Sequence, residues 1–225
     1  MALADPFTCE IGLHAQIDPG VTLGYTYPGW SSKLYIGDHA IIRSGSILYA
    51  NSTIGKRFTC GHQVLIRAEC EIGDRVVILH KCTLEGKIRI GNGVKIMAHV
   101  YIPSRTMIED FVFIGPGCNF LNHKRPMRSD EPVSGAVVKE RVGIGGGTTI
   151  CPGVRIGRNS FIGAGTLVNK DVPPDTLAIG VPARFHPLPA ELRGGNRPES
   201  MTVGTDLWAG QIDDDWRADY PDLAQ

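Results

Sequence analysis

The 225-residue chain has the length of one domain and a formal net charge of zero, from 23 basic and 23 acidic residues. That balance argues against nucleic acid or an anionic membrane as a partner attracted by bulk charge. No apolar run approaches the roughly 20 residues of a membrane span and no signal peptide opens the sequence, so we expect a cytoplasmic protein.

A six-residue apolar period runs through most of the chain. It begins at Ile11, Ile17 and Leu23 and breaks between Tyr25 and Tyr35, where its phase shifts by one residue and we predict an extruded loop. It then holds without a slip from position 36 to position 120. Neither an α-helix (period 3.6) nor a strand (period 2) produces this spacing, which is typical of a parallel β-helix. The fifteen positions are Ile36, Ile42, Leu48, Ile54, Cys60, Ile66, Ile72, Ile78, Leu84, Ile90, Ile96, Ile102, Ile108, Ile114 and Phe120.

Glycines that follow the apolar position indicate the size of one coil. Gly37, Gly55, Gly73 and Gly91 recur at every third hexad, and Gly115 occupies the same hexad position. Three hexads therefore form one coil of a triangular prism. We expect these glycines to take positive φ at the corners.

Cysteines occur inside the repeat rather than in pairs. The six cysteines include no Cys-x-x-Cys motif, and Cys70, Cys82 and Cys118 fall at the fifth hexad position, where small side chains would point inward. We interpret them as reduced, buried thiols and not as disulfides or metal ligands.

The period stops after Phe120, gives way to a polar stretch, and resumes at Val138 in its old phase. We therefore predict a loop extruded near residues 121–137, where functional side chains would concentrate. Residues 185–225 lack the period and carry eight acidic against three basic residues, which leaves a net charge of +5 on the rest. The predicted units are a β-helix domain, 1–184, and an acidic C-terminal extension, 185–225, whose Trp208 and Trp216 suggest docking without indicating a function.

The late hexads resemble a known family. Residues 11–184, and above all Ile162-Gly163-Ala164-Gly165 and the segment from Asp171 to Arg184, are similar to the hexapeptide-repeat acyltransferases. The resemblance implies an all-β, left-handed parallel β-helix, a homotrimer, and transfer of an acyl group from acyl-CoA. Acetyl-CoA is the expected co-substrate, and no metal is expected.

Two segments narrow the resemblance. The run from Phe111 to Gly117 with Phe120-Leu121-Asn122, and the return through Val138, are similar to enzymes that N-acylate nucleotide-linked amino sugars. Those relatives commonly carry Thr-Asn-Asp where this chain has Leu121-Asn122-His123. The departure leaves the class of acceptor open and supplies a base at that position.

His123 is the candidate general base, because imidazole titrates nearest to working pH and other family members place their catalytic histidine in the cleft between subunits. Its alternative role is a solvated loop histidine beside Lys124 and Arg125. Asn122 would hold the substrate amine or a sugar hydroxyl, or else serve as a turn residue.

Three further histidines form a possible column. His62 and His80 occupy the same position in consecutive coils, and His99 lies one position out of that column in the next coil. Carbonic anhydrases of the γ class bind zinc with histidines on this solenoid, but the close pair of histidines that they use is missing here. By resemblance His80 is expected to contact substrate, since it falls where relatives carry an asparagine. His62 and His99 are expected to be outward-facing wall residues.

The cofactor residues are also inferred from the resemblance. Backbone amides at Gly145 and Ala164 would meet the pantetheine arm, and one of them would stabilise the oxyanion. Lys170 and Arg184 would meet the phosphates. The alternative is that the small residues only satisfy the sterics of the corners.

The sequence therefore predicts an acetyl-CoA-dependent acyltransferase that N-acetylates a nucleotide-linked amino sugar. O-acetylation of a sugar or xenobiotic hydroxyl is the main alternative. A γ-class carbonic anhydrase-like metal protein and a non-catalytic solenoid subunit are the others.

Overall fold

The structure is a computed structural model that describes residues 9–27, 32–128 and 130–196. Its regular elements are almost all short β-strands. In chain order these are β1 (Cys9–Ile11), β2 (Gln16–Ile17), β3 (Thr22–Tyr25), β4 (Leu34–Ile36), β5 (Ile41–Ile42), β6 (Ile47–Tyr49), β7 (Ser52–Ile54), β8 (Thr59–Cys60), β9 (Leu65–Ile66), β10 (Cys70–Ile72), β11 (Val77–Ile78), β12 (Thr83–Leu84), β13 (Ile88–Ile90), β14 (Lys95–Ile96), β15 (Tyr101–Ile102), β16 (Met107–Ile108), β17 (Phe113–Ile114), β18 (Asn119–Phe120), β19 (Val137–Val138), β20 (Gly143–Ile144), β21 (Thr149–Ile150), β22 (Arg155–Ile156), β23 (Phe161–Ile162), β24 (Leu167–Val168), β25 (Thr176–Ile179) and β26 (Arg184–Pro187), followed by a short 3-10 helix (Ala190–Leu192).

The strands assemble into three parallel sheets because each strand pairs with the third strand after it. Sheet A contains β1, β4, β7 and so on to β22, sheet B contains β2, β5, β8 to β23 and then β25 and β26, and sheet C contains β3, β6, β9 to β24. Three consecutive strands thus make one coil, and β1 to β24 make eight coils of a triangular prism. The corners are named AB, BC and CA after the sheets that they join. This β-solenoid confirms the predicted architecture and is consistent with a left-handed β-helix.

The predicted hexad positions form the core. Ile42, Leu48 and Ile66, which stand at the first hexad position, are fully buried. The fifth position also points inward, as Cys70 and Cys82 show, and all six cysteines are free thiols. Stacked coils therefore bury a continuous aliphatic column, and this burial is the main source of stability.

The prediction that the second-position glycines take positive φ is wrong. Positive φ occurs two residues later, at the fourth hexad position, for example at His39 (φ 59°), Arg57 (φ 54°) and Arg75 (φ 56°). The glycines are required for close approach, because a Cβ built on Gly73 would lie 2.8 Å from the carbonyl carbon of Gly91 in the next coil. The corners stack too tightly for a side chain there.

The predicted loop after Phe120 is confirmed. Ile108 pairs with Val138, five hexads further along the chain, where an uninterrupted coil would place its partner three hexads further along. The chain between β18 and β19 therefore contains two additional hexads. The coil resumes in register beyond them, so the loop lies outside the prism.

The C-terminal end of the solenoid is closed by a hairpin. β25 continues sheet B and pairs antiparallel with β26, with Ile179 opposite Arg184. Leu188 is buried after the hairpin. Within the described ranges, no helix has the length and apolar character needed to cross a membrane. Trp208 and Trp216, for which docking was predicted, lie outside the described residues, as do the central residues of the loop predicted between Tyr25 and Tyr35.

Candidate active site

His123 lies at corner CA, where the chain leaves β18 and enters the extruded loop. Its side chain is exposed to solvent. The loop folds back on itself, since the amide of Ser134 donates to the carbonyl of Asn122 at 2.9 Å. The resulting cavity has a volume of about 210 Å³ and is lined by Asn122, His123, Lys124, Arg125, Glu131, Pro132 and Ser134.

The cavity is polar and carries both signs of charge. Arg125 forms an ion pair with Glu131 at 3.1 Å across the loop, and both side chains are largely exposed. Such a pair contributes little to stability in water. Its structural effect is to hold the two arms of the loop around His123, with Lys124 as a further cation.

Asn122 is fixed by the preceding coil. Its Nδ2 donates to the Oγ of Ser104 at 3.2 Å and to the carbonyl of Ser104 at 3.3 Å. The amide hydrogens therefore face the solenoid, and the carbonyl oxygen of the side chain is the atom left to accept a hydrogen bond from a ligand. Ser104 was not predicted. It stands one coil period, 18 residues, before Asn122, so that period alone would have identified it.

His80 and His99 lie together at corner BC. Their ring centroids are 5.5 Å apart with the rings nearly perpendicular, and the His99 amide donates to the His80 carbonyl. Both side chains are exposed. His62 lies one coil below His80, as predicted, and its Nδ1 is 2.9 Å from the Oγ of Ser44. Among the described residues, no three His, Cys, Asp or Glu side chains are arranged to hold a metal ion.

The two histidine corners face each other across sheet C. His80 and His99 precede β12 and β15 of this sheet, and His123 follows β18. They therefore lie at opposite ends of its strands, and a single chain does not bring His80 to His123.

The backbone amides of Gly145 and Ala164 differ in whether they already donate a hydrogen bond within the solenoid. Gly145 and Ala164 are neighbours in adjacent coils of corner BC. The Gly145 amide donates to the carbonyl of Ile162 at 2.8 Å and is used within the solenoid. Ala164 is exposed, and its amide donates to none of the described residues.

Lys170 and Arg184 lie at the C-terminal end of the prism. The Lys170 ammonium is 4.8 Å from the centroid of the Phe185 ring, and Phe185 follows Arg184 in β26. Both cations are exposed. This end also carries Ala164, because the preceding Gly163 packs against Ile179, the partner of Arg184.

A wider groove of about 880 Å³ lies elsewhere, on the outer face of sheet A. Its walls include Tyr35, Glu71, Arg89 and Met107, and none of the predicted site residues lines it. Ion pairs such as Arg89–Glu71 at 3.0 Å cross it. We place the candidate site at His123 because the groove on sheet A offers no comparable base.

Comparisons with known proteins agree with this fold. Residues 135–170 match the model of the bacterial transferase hexapeptide, six repeats. The chain is 38% identical over 81 residues to galactoside O-acetyltransferase of Lactococcus lactis, a match that covers 33% of this chain and 39% of that protein. It is 29% identical over 196 residues to the bifunctional protein GlmU of Koribacter versatilis, which covers 80% of this chain and 40% of that protein. It thus spans about two fifths of the length of both relatives.

Among solved structures, LpxA of Bacteroides fragilis, a UDP-N-acetylglucosamine acyltransferase, has a TM-score of 0.67 at 20% identity and is matched over 81% of this chain and 71% of that one. At that identity the likeness is one of fold. The eight-coil solenoid agrees with the hexapeptide repeats that are matched in residues 135–170. This segment of the chain is similar to the hexapeptide-repeat transferase family.

Proposed function

We propose that the protein is a cytoplasmic, homotrimeric acyltransferase that moves an acetyl group from acetyl-CoA to the amino group of a nucleotide-linked amino sugar. The observation that carries this proposal is the exposed imidazole of His123 in a polar cavity, at the corner where the solenoid extrudes two additional hexads between β18 and β19. A polar cavity with cationic and anionic walls suits a hydroxyl-rich, charged acceptor.

His123 acts as the general base in the proposed reaction. The amine nitrogen attacks the thioester carbonyl while the imidazole takes a proton from that nitrogen. The new C–N bond forms, the C–S bond breaks, and the imidazolium returns the proton to the leaving thiolate. The side-chain oxygen of Asn122, whose amide hydrogens are held by Ser104, accepts a hydrogen bond from the acceptor.

Ala164 is the preferred oxyanion donor, because its amide has no partner among the described residues while the Gly145 amide is already bonded. It lies at corner BC, as His80 does, so in the proposed site it meets His123 of the neighbouring subunit. A preorganised N–H aimed at the developing negative charge stabilises the transition state more than the ground state. Gly145, which has no side chain, then lets the pantetheine arm lie close to the backbone. Lys170 and Arg184, at the same end of the prism, bind the phosphates.

The proposed trimer completes the site. His80 and His123 stand at opposite strand ends of sheet C, so a cleft that uses both requires His80 from one subunit and His123 from its neighbour. The trimer would bring corner BC of one prism against corner CA of the next. His80 then contacts the acceptor.

O-acetylation of a sugar hydroxyl is the second candidate, favoured by the 38% identity to galactoside O-acetyltransferase over 81 residues. The same imidazole can take a proton from a hydroxyl. The two reactions differ in the acceptor atom and not in the residues that serve it.

Release of the CoA thiol, measured over a panel of nucleotide-linked amino sugars and their hydroxyl parents, tests the proposal. We expect turnover with an amine and none with its matched hydroxyl parent. Turnover with the hydroxyl alone would establish O-acetylation. Absence of thiol release and of acetyl-CoA binding would contradict acyl transfer altogether.

A further inference from the structure

The extruded loop leaves and rejoins corner CA at positions that the stacking of coils defines. Asn122 is the last residue in register before the loop, since its side chain bonds to the residue 18 positions earlier. The register of β16 and β19 then aligns Gly135 with Arg105 of the preceding coil. A Cβ built on Gly135 would lie 2.2 Å from the carbonyl carbon of Arg105, so the two residues stack closely. The insertion therefore comprises residues 123–134, and His123 is its first residue.

His123 departs from the backbone conformation of its column. The residues at the same hexad position in the four preceding coils have φ between 53° and 66°, and these are Asn51, Glu69, Lys87 and Arg105. His123 does not have positive φ. The chain thus turns out of the corner at His123, and Gly135 continues the column in its place. The direction of the imidazole consequently depends on how the two ends of the loop are held.

Hydrogen bonds hold the two ends together across three coils of the corner. The Nδ2 of Asn122 donates to the Oγ of Ser104 at 3.2 Å and to the Ser104 carbonyl at 3.3 Å. The amide of Ser134 donates to the backbone carbonyl of Asn122 at 2.9 Å, and the amide of Gly153 donates to the Ser134 carbonyl at 2.9 Å. We call this chain of bonds the loop clamp. Asn122 joins its two halves, because its side chain is bound to the coil below and its carbonyl to the returning end of the loop.

The hydroxyl of Ser104 serves the loop clamp and not the coil. Ala50 and Ala68 hold the same hexad position at the same corner, so the solenoid accepts a residue without a hydroxyl there. Ser104 is not among the residues that line the cavity around His123. Its bonds to Asn122 are thus its connection to the candidate site.

We propose that Ser104 is a positioning residue for His123, and that it acts through Asn122 and the loop clamp. Without the hydroxyl, the Asn122 side chain keeps the carbonyl of Ser104 as its partner at the longer distance, and the residue before His123 is held less firmly. The imidazole then occupies its productive geometry less of the time, and rates fall steeply when a catalytic group is misplaced. The effect on catalysis rests on the general-base role proposed above, whereas the loop clamp itself does not.

Amide hydrogen exchange of the full chain, followed by NMR, tests the loop clamp. In Ser104→Ala the Ser134 amide should exchange several-fold faster than in wild type, because its acceptor Asn122 is less firmly fixed. The Lys87 amide, which donates to the Ala68 carbonyl at the same corner, should keep its protection. Ser104→Thr, which retains the hydroxyl, should restore the wild-type rate at Ser134. An unchanged rate in Ser104→Ala would overturn the loop clamp.

Steady-state kinetics on the acceptor found in the thiol-release panel test the positioning role. We expect Ser104→Ala to lower kcat about 2–10-fold, the usual worth of one hydrogen bond, with the KM for acetyl-CoA unchanged. Ser104→Thr should restore kcat. Added to His123→Ala, the Ser104→Ala change should cost nothing further, because it acts through the imidazole. A wild-type kcat in Ser104→Ala, or an equal loss in the His123→Ala background, would overturn the positioning role.

Ser44→Ala is the matched control. Ser44 holds the same hexad position at corner BC, and its Oγ lies 2.9 Å from the Nδ1 of His62, the residue 18 positions later. Its removal deletes an equivalent bond between coils away from the loop, and should leave both kcat and the exchange of Ser134 unchanged. Losses equal to those of Ser104→Ala would show a general effect on the solenoid and overturn the assignment. Faster exchange of Ser134 in Ser104→Ala, in a protein that transfers no acetyl group, would support the loop clamp and contradict the proposed function.

Discussion

Pro116 and Ala164 occupy the same position of corner BC, two coils apart. Ile114 pairs with Ile144, and Ile144 with Ile162, so Gly115-Pro116-Gly117 and Gly163-Ala164-Gly165 are equivalent corners. The solenoid therefore accepts a residue without an N–H at this point. Because of this equivalence, the N–H of Ala164 can be removed without disturbing the fold.

Ala164→Pro should remove the proposed oxyanion donor and leave the coil intact. We expect kcat to fall about 10²–10³-fold, the usual cost of one oxyanion donor, with little change in thermal stability. Ala164→Ser, which keeps the N–H and adds one oxygen, is the control and should retain most activity. Steady-state kinetics of both variants would reject the assignment if the proline variant kept the wild-type kcat.

Gly73→Ala should be strongly destabilising although Gly73 does not have positive φ. Its new Cβ would lie 2.6 Å from the Oδ1 of Asn92 and 2.8 Å from the carbonyl carbon of Gly91. We expect a loss at the upper end of the usual range for overpacking, about 1–3 kcal/mol. Gly147→Ala is the comparison, since Gly147 has φ 68° and open space around it, and should cost about 1–2 kcal/mol. Urea denaturation of both variants measures the difference, and a cheaper substitution at Gly73 would contradict the close-approach explanation.

Stability should decrease at alkaline pH through the buried thiols. Burial raises the pKa of the Cys70 thiol to about 12, from an ordinary value of 9.0. Between these values the folded protein keeps the proton that the unfolded chain loses, so the stabilising contribution is complete below about pH 9 and is lost as the pH rises toward 12. Each such thiol contributes up to about 1.4 kcal/mol per pH unit.

Urea unfolding of wild type and Cys70→Ala at several pH values measures this contribution. The variant should lose a constant amount from the cavity and show a shallower alkaline slope than wild type. Parallel slopes would show that Cys70 ionises equally in both states.

Much of the fold could be predicted because an inward-facing residue must recur once per strand of each coil. That requirement explains why the register from Ile36 to Phe120 and the loop before Val138 were both predicted correctly. The corners were misassigned because glycine suggests positive φ, whereas His39, Arg57 and Arg75 adopt it. The glycines are required because the corners of neighbouring coils lie in close contact. The sequence of a single hexad does not show that contact.

The candidate site was less accessible to prediction. The polar loop identified His123, but the partner of Asn122 depends on stacking with Ser104 in the coil below. Roles of Gly145, Ala164, Lys170 and Arg184 came from resemblance and stay proposals.

The most direct test of the central claim is the kcat of His123→Ala on the acceptor found in the thiol-release panel. A general base contributes about 10²–10⁴-fold, so we expect a fall of that size. His62→Ala, which removes another exposed histidine bonded to Ser44, should stay near the wild-type rate. A near-normal kcat for His123→Ala would contradict the account.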